Sequence, residues 1–430
     1  MPPRTFQSLK TRISREFSGR YRIIYLIAAL EALLCFLPGM GWEGLDTGSY
    51  IEVWRFYDIS RLETFVDMFR TPVYPLFIGI ATLDERLPLT FLLFAQWLVF
   101  IATIPYFRRL ASEIVRHQGI TFWMTAFYAV YWGVIEVNYY AMSESLSQSF
   151  LVFFTYFAVL GIRRGGMRRM CLGAFWLLML VFLRPAFCCL PLVYAAVCIY
   201  MALRRCREGV LGLVLTVLVA MAMSGYACVF DRKYGYFAMS DVSTYNNYIR
   251  CLYSGILDEQ FYLPEMRPYM KKPDPVTGKP TWTESIPSHM NHSTEFHHCV
   301  TANINAHKYE FLKATVYTFP SFWRCRANQC ASLYWPVGMM LTLGMDTAAV
   351  LVMIYISVAA TAMFRHKMLM PVPLLIAGIW ITHAMVTWLG AYWAFDRLIQ
   401  PVFPMLILVF GHLCSFFTKT RTARDVFCGR

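Results

Sequence analysis

Four charged residues stand beside long apolar runs of the sequence, where a charge is costly unless it has a partner or a function. They are Asp46, Glu144, Arg184 and Arg397. A carboxylate can take a proton from a hydroxyl as a general base, and an arginine can pair its planar guanidinium with two phosphate oxygens. These residue types therefore suit transfer of a group from a phosphate to a hydroxyl, because arginines would hold the charge that builds on the departing phosphate.

Each of these residues also has a simpler explanation. Asp46 precedes a Thr-Gly-Ser sequence that makes a good helix start, so its side chain could be an N-cap. Glu144 lies between two serines and could likewise belong to a cap. Arg184 and Arg397 could anchor helices at a membrane interface, and Arg397 could instead pair with Asp396.

Weaker candidates lie elsewhere in the polar segments. Arg70 and Lys233 are further candidates for phosphate contact. Tyr50, Tyr245 and Arg250 are candidates for lining a cleft that holds an acceptor or a headgroup.

The elements that must position these residues are membrane-spanning helices. The 430 residues are 58% hydrophobic and only 15% charged, whereas a soluble domain has roughly 25% charged residues. Long apolar runs, each about long enough to cross a bilayer, recur along the chain. We predict an all-α polytopic membrane protein of about ten spans, at residues 21–38, 88–107, 121–139, 145–162, 170–183, 186–203, 209–230, 337–364, 370–390 and 396–417.

Two details of this division need a reason. The first apolar run carries Glu31 and lacks an A-x-A-like cleavage site, so we interpret it as a retained span and not as a signal peptide. The stretch from Met170 to Leu203 is long enough for one helix, but Arg184-Pro185 interrupts it and favours two short helices.

Basic residues in short loops predict the orientation, because lysine and arginine favour the cytoplasmic side. With a cytoplasmic amino terminus, the inner segments 1–22, 108–118, 163–169, 204–208, 365–367 and 418–430 carry 22 lysines and arginines and four acids, whereas the short outer loops carry six arginines. We therefore expect both termini to be cytoplasmic. The net charge of +13 follows from this arrangement, so nucleic acid is not an expected partner.

The predicted organisation has five parts. A basic tail (1–22) precedes a transmembrane module (23–230) that contains a first outer loop (39–87). An outer loop or subdomain (231–335), the C-terminal spans (336–417) and a second cytoplasmic tail (418–430) follow. The apolar piece 72–83 of the first outer loop is too short to span and is predicted to lie at the interface.

Other chemistries have weak or no signals in the sequence. Phosphate-binding glycine loops, HExxH and GxSxG are absent, as are CxxC pairs. His292, His297, His298 and His307 could bind a divalent ion with Glu295, but their spacing matches no recognised metal site, so no metal or other cofactor is assigned. A disulfide is conceivable only among Cys299, Cys325 and Cys330.

Several short motifs occur in an order that resembles the GT-C superfamily of membrane glycosyltransferases, especially the bacterial branch of the lipid A aminoarabinose transferase and the protein O-mannosyltransferases. They are Asp46-Thr47-Gly48-Ser49-Tyr50, Arg70-Thr71-Pro72-Val73-Tyr74-Pro75, Ser143-Glu144-Ser145-Leu146, Leu183-Arg184-Pro185 with Pro191, and Phe395-Asp396-Arg397 continuing to Pro404. The resemblance covers residues from about 20 to 415, although each motif is short.

The resemblance implies an active site on the periplasmic side of a bacterial inner membrane. Asp46 would be the catalytic base, Glu144 would match a second acid, and a polyprenyl phosphate would carry the sugar to a lipid, glycan or protein acceptor. The sequence departs from some branches because Asp46 has no adjacent acid. That difference argues against a two-acid or metal-assisted first loop.

Two other functional classes compete with this interpretation. A transporter or flippase would use Glu31, Glu136, Asp346 and His383, which lie inside apolar runs, although we expect these to form hydrogen bonds between helices. Transporters are also often built from internal repeats, and this sequence has no obvious repeat. A polysaccharide polymerase or ligase would share the outer-face chemistry.

Overall fold

The computed structural model describes residues 19–39, 41–44, 46–115, 117–269, 293–324, 345–366, 371–391 and 395–417. Most of both predicted tails, together with His292, Cys325 and Cys330, lies outside these ranges. The regular elements in the described residues are helices. Two isolated β-bridges, Trp42–Tyr140 and Asp58–Arg61, occur outside them. The predicted all-α class is confirmed.

The helices are numbered in chain order. The first half of the chain contains α1 (Tyr21–Leu34), α2 (Thr47–Arg55), α3 (Val73–Ala81), α4 (Leu89–Ile114), α5 (Gln118–Val130), α6 (Trp132–Ile135), α7 (Ser143–Arg164), α8 (Met167–Leu183), α9 (Leu190–Leu203) and α10 (Arg207–Tyr234). The second half contains α11 (Val242–Tyr253), α12 (Thr294–Ala306), α13 (Lys308–Tyr317), α14 (Phe319–Arg324), α15 (Met345–His366), α16 (Pro371–Gly390), α17 (Phe395–Ile399) and α18 (Phe403–Phe417). Short 3-10 turns at Glu136–Tyr139, Pro185–Phe187 and Gln400–Val402 extend or join them.

Six helical segments in the described residues are long and apolar enough to cross a membrane. They are Leu89–Ile114, Ser143–Arg164, Pro185–Leu203, Arg207–Tyr234, Pro371–Gly390 and Arg397–Ser415. A seventh span results if Gln118–Val130 and Trp132–Tyr139, which are bent by 58°, count as one. These segments coincide with seven of the ten predicted spans.

The other three predicted spans correspond to α1, α8 and α15. The first two have 14 and 17 residues, and the apolar part of α15 is Thr347–Thr361. A helix needs about 20 residues to cross the hydrocarbon core without tilting or thinning it. The count of ten spans therefore stays a prediction. The piece 72–83 forms α3, whose nine residues are too few to span, as expected.

Helix α7 lies at the centre of the bundle. It packs mainly against α4 and α8, and nearly all of its residues from Ser143 to Gly161 are buried. Its polar side chains find partners inside the bundle: Ser145 Oγ donates to Asn138 Oδ1 at 2.6 Å, and Gln148 Nε2 donates to the Val134 carbonyl at 3.0 Å. These hydrogen bonds offset the cost of burying polar groups.

Residues within 245–266 and 296–304 form a smaller apolar cluster beside the bundle, built around Tyr248, Tyr262 and Phe296. Buried Arg250 attaches this cluster to the bundle, because its guanidinium donates to the carbonyls of Trp388, Leu389 and Ala391. Those carbonyls belong to the end of α16, where the last turn of a helix leaves acceptors unpaired. Arg250 is thus a helix cap supplied by a distant part of the chain.

The contact between α9 and α10 depends on Gly209. A Cβ atom at this position would lie 2.5 Å from the Ala202 nitrogen and 2.7 Å from the Cys198 carbonyl. Backbone atoms cannot move aside as a flexible side chain can, and small residues permit this kind of close helix approach in membranes.

We expect Gly209→Ala to lower the stability of the detergent-solubilised protein by about 1–3 kcal/mol, as for other overpacked sites. Gly225→Ala on the same helix is the matched control, because a Cβ there meets nothing within 4 Å. Thermal unfolding followed by circular dichroism measures both. Equal melting temperatures for the two variants would show that α9 and α10 do not pack this closely.

Candidate functional site

A cavity of about 630 Å³ opens where the ends of several helices meet. Its lining includes apolar side chains such as Leu183, Met223, Val386 and Leu398, and five of the charged residues predicted from the sequence: Asp46, Arg70, Glu144, Arg184 and Arg397. A third part of the wall comes from the segment 239–246, with Met239, Ser240, Val242, Ser243, Tyr245 and Asn246. The cavity is large enough for a small-molecule ligand.

Five charged side chains form an alternating row, referred to below as the charge row: Arg70, Asp46, Arg397, Glu144 and Arg184. Asp46 Oδ1 lies 2.8 Å from Arg70 Nη2, and Asp46 Oδ2 lies 3.0 Å from Arg397 Nη2. Glu144 Oε1 lies 3.1 Å from Arg397 Nε and 3.2 Å from Arg184 Nη1. The four principal sequence candidates and Arg70 are thus in direct contact.

Asp46 precedes α2 but does not cap it, because its side chain makes no hydrogen bond to the backbone of the helix. Its carboxylate points to Arg70 and Arg397 instead, and its side chain is 29% exposed. Of the two explanations of Asp46 that the sequence leaves open, the structure excludes the N-cap.

A backbone pairing brings Asp46 to Glu144. The Trp42 nitrogen donates to the Tyr139 carbonyl at 3.0 Å, and the Ala141 nitrogen donates to the Trp42 carbonyl at 3.1 Å. Thr47 Oγ1 donates to the Ala141 carbonyl at 2.8 Å. These bonds fix the start of α2 against the residues that lead into α7. We refer to them as the Trp42 pairing.

Glu144 lies in the first turn of α7, where a negative charge is favoured by the helix dipole. Its side chain is only 4% exposed. Neither Arg184 Nη1 nor Arg397 Nε has a hydrogen-bond partner within the described residues, although both lie close to Glu144 Oε1. The two guanidiniums are therefore attracted to Glu144 by charge, without a well-aligned hydrogen bond.

Arg184 owes its position to Pro185. A proline disfavours helical backbone in the residue before it, and Arg184 is accordingly extended, with φ −153° and ψ 121°. Helix α8 ends at Leu183 and a 3-10 turn begins at Pro185. The predicted break between two short helices is confirmed, and it turns the Arg184 side chain into the cavity.

Arg70 is held by its own loop. Asp67 Oδ1 accepts the backbone N–H groups of Phe69 and Arg70 at 2.8 and 2.7 Å, as in an Asx turn. The guanidinium donates to Ser49 Oγ at 2.9 Å and lies over the Tyr50 ring, 4.3 Å from its centroid. Asp46 raises the pKa of Arg70, although burial opposes this.

The Asp46 carboxylate is ionised far below neutral pH. Burial would raise its pKa, but the charges of Arg70 and Arg397, the hydrogen bond from Arg70 and the charge of Arg184 lower it to about 2. A carboxylate with so low a pKa is a weak proton acceptor. It becomes a better base only when its arginines turn to another anion.

The weaker sequence candidates divide between cavity and scaffold. Tyr50 and Tyr245 line the cavity. Lys233 lies elsewhere, because its Nζ donates to the Val66 carbonyl at 2.7 Å and so supports the loop that carries Arg70. Arg250 does not contact a cleft either, since it caps α16. Neither Lys233 nor Arg250 lines this cavity, and a ligand contact by either residue stays a prediction.

The residues inside apolar runs have the following partners. Glu136 accepts a hydrogen bond from Gln400, as expected for an interhelical contact. His383 contacts the Leu398 carbonyl at 2.8 Å. Glu31 Oε2 is buried without a hydrogen-bond partner in the described part of the chain, and the side chain of Asp346 lies outside it.

Sequence reasoning missed Ser240, Ser243 and Asn246 on the cavity wall. Ser243 and Asn246 are three residues apart and so share one face of α11, which is a signal that the sequence contains. Among the residues described, no group of three or more His, Cys, Asp and Glu side chains could hold a metal ion. A comparison of the chain with models of known protein families and with curated proteins found no match.

The low pKa of Asp46 predicts how the stability depends on pH. Because the pKa is depressed on folding from about 3.9 to about 2, the ion pairs stabilise the fold above about pH 4 and lose this effect as the pH falls towards 2. We expect the stability advantage of the wild type over Asp46→Asn to fall by roughly half between pH 6 and pH 3. Thermal unfolding of both proteins across this range measures the difference, and an advantage that grows on acidification would contradict the ion-pair assignment.

Proposed function

We propose that the protein is an integral membrane glycosyltransferase that moves a sugar from a lipid phosphate carrier to an acceptor hydroxyl. The observation that supports this most is the charge row, placed in a cavity whose lining also includes apolar and hydroxyl-bearing side chains. A lipid-linked sugar phosphate has the same three parts: a greasy tail, an anionic centre and a polar sugar.

The charges of the row favour a donor with one phosphate. Three arginines and two carboxylates leave one positive charge, which a single phosphodiester neutralises. Arg184 and Arg397 would bind the phosphate oxygens, because both residues line the cavity and their side chains are 10% and 13% exposed. Leu183, Met223 and Val386 would contact the first units of the tail.

Asp46 is the proposed general base. In the transfer step the acceptor oxygen forms a bond to the anomeric carbon, the bond from that carbon to the phosphate oxygen breaks, and the acceptor proton passes to Asp46. The lipid phosphate leaves with an added negative charge, which the arginines stabilise. A single displacement of this kind inverts the anomeric centre.

Binding of the donor would itself prepare the base. Arg70 and Arg397 keep the Asp46 pKa near 2. A phosphate that draws Arg397 away removes part of that attraction, so the pKa of Asp46 rises and its ability to accept a proton increases. Glu144, which contacts two arginines and is nearly inaccessible, would orient the phosphate-binding groups and not touch the acceptor.

We place this chemistry on the outer face of the membrane, because the basic loops favour the opposite side as cytoplasmic. A polyprenyl phosphate in a bacterial inner membrane is the carrier that the GT-C resemblance implies. The acceptor is a lipid, glycan or protein hydroxyl, and Ser243, Tyr245 and Asn246 offer hydrogen bonds and a ring face to it.

The decisive variant is Asp46→Asn, assayed in nanodiscs with a panel of undecaprenyl-phosphate-linked sugars and a cell-envelope extract as acceptor. Loss of the general base should lower the transfer rate about 10²–10⁴-fold. Glu52→Gln is the matched control, because Glu52 is exposed on α2 and its side chain lies outside the cavity. Transfer by folded Asp46→Asn at the wild-type rate would rule out the proposed mechanism. Movement of the lipid-linked sugar across the membrane of proteoliposomes, without any transfer by the wild type, would favour a transporter.

Removing a phosphate-binding arginine should act on the donor. We expect Arg184→Ala to weaken binding of undecaprenyl phosphate about 10-fold or more, as for loss of a charge-assisted hydrogen bond. Arg168→Ala is the control, since Arg168 is exposed near the other end of α8. Microscale thermophoresis in nanodiscs gives both affinities. Equal affinities would remove Arg184 from the phosphate site.

A further inference from the structure

His383 is a buried histidine that contacts two elements of the candidate site without lining the cavity itself. It lies in α16 and is only 3% exposed. Its Nε2 lies 2.8 Å from the carbonyl oxygen of Leu398, the residue that follows Arg397. Its ring stacks on Phe187 with centroids 4.7 Å apart and an angle of 22°.

Phe187 belongs to the 3-10 turn Pro185–Phe187, which begins directly after Arg184. One imidazole therefore contacts the backbone next to Arg397 and the turn next to Arg184. These are the two arginines whose guanidiniums both approach Glu144 Oε1.

The protonation of the ring follows from its partners. A carbonyl oxygen only accepts, so Nε2 carries the hydrogen and donates it to Leu398. Nδ1 is buried with no hydrogen-bond partner among the described residues, which fits a neutral ring. In a 3-10 turn the Leu398 carbonyl would accept a hydrogen bond from the backbone N–H of residue 401. That residue is Pro401, which has no N–H, so the carbonyl depends on a donor from another part of the chain.

We propose that His383 is a positioning residue that sets the spacing of Arg184 and Arg397 for binding a phosphate group. Its role in ligand binding rests on the proposed function, whereas its contacts stand on the geometry alone. Glu144 cannot fix this spacing by itself, because an incoming phosphate competes for the same guanidiniums. The contacts of His383 involve a backbone carbonyl and a ring, so they persist while the guanidiniums exchange partners.

Three substitutions separate the two contacts. His383→Phe keeps a ring against Phe187 but loses the donor. His383→Gln keeps an N–H donor of similar reach but loses the ring, and His383→Leu loses both. Met385→Leu is the matched control, because Met385 lies on the same helix and is 44% exposed.

The measurement compares binding of undecaprenyl phosphate with binding of undecaprenol, which has the same tail and no charge, in nanodiscs. We expect His383→Phe and His383→Leu to weaken binding of the phosphate about 3- to 10-fold, as for loss of one buried hydrogen bond, and to leave undecaprenol binding unchanged. His383→Gln should bind the phosphate more tightly than His383→Leu. Met385→Leu should match the wild type with both lipids.

The outcomes that overturn the proposal differ from those that overturn the proposed function. Wild-type phosphate affinity in His383→Phe and His383→Leu, with reduced affinity in Arg184→Ala, refutes the positioning role alone. Equal losses for both lipids show a purely structural role and refute it too. Wild-type affinity in Arg184→Ala as well would refute the phosphate site. Should His383→Phe not fold, a loss in His383→Gln as large as in Arg184→Ala overturns the proposal.

Discussion

The structure depends on mutual neutralisation of five charges at the edge of an apolar bundle. Removing one partner from such a set leaves a poorly solvated charge, which typically costs several kcal/mol. Asp46 and Glu144 are each shared by two arginines, so no carboxylate relies on a single contact. The surrounding elements position these charges. The Trp42 pairing brings the two acids together, and the bend at Pro185 directs Arg184 towards them.

The predicted topology accounts for the convergence of the site. In it Asp46 and Arg184 come after spans, whereas Glu144 and Arg397 come before them, so alternating crossings would bring these ends to the same face. Local chemistry also predicts the break at Arg184, since proline restricts the residue before it. The position of Arg70 is not predictable in the same way, because it depends on an Asx turn at Asp67, and the local sequence does not show where that turn directs the arginine.

The contacts that could not be predicted are those with partners remote in sequence. Lys233 and Arg250 have long, flexible side chains, and their carbonyl acceptors are set by tertiary packing that one sequence does not reveal. The local sequence also does not decide whether Asp46 caps α2 or pairs with arginines, because both roles need an aspartate at this position. The sequence shows His383 as a polar residue in an apolar run, but its contact with Leu398 depends on tertiary packing.

The order of the charge row along the chain has a consequence for biosynthesis. Arg70, Asp46, Glu144 and Arg184 all precede the final apolar segment, and together they sum to zero charge. During synthesis the members of the row that precede Arg397 therefore carry no net charge. Arg397 is synthesised last of the five and gives the row its single excess positive charge.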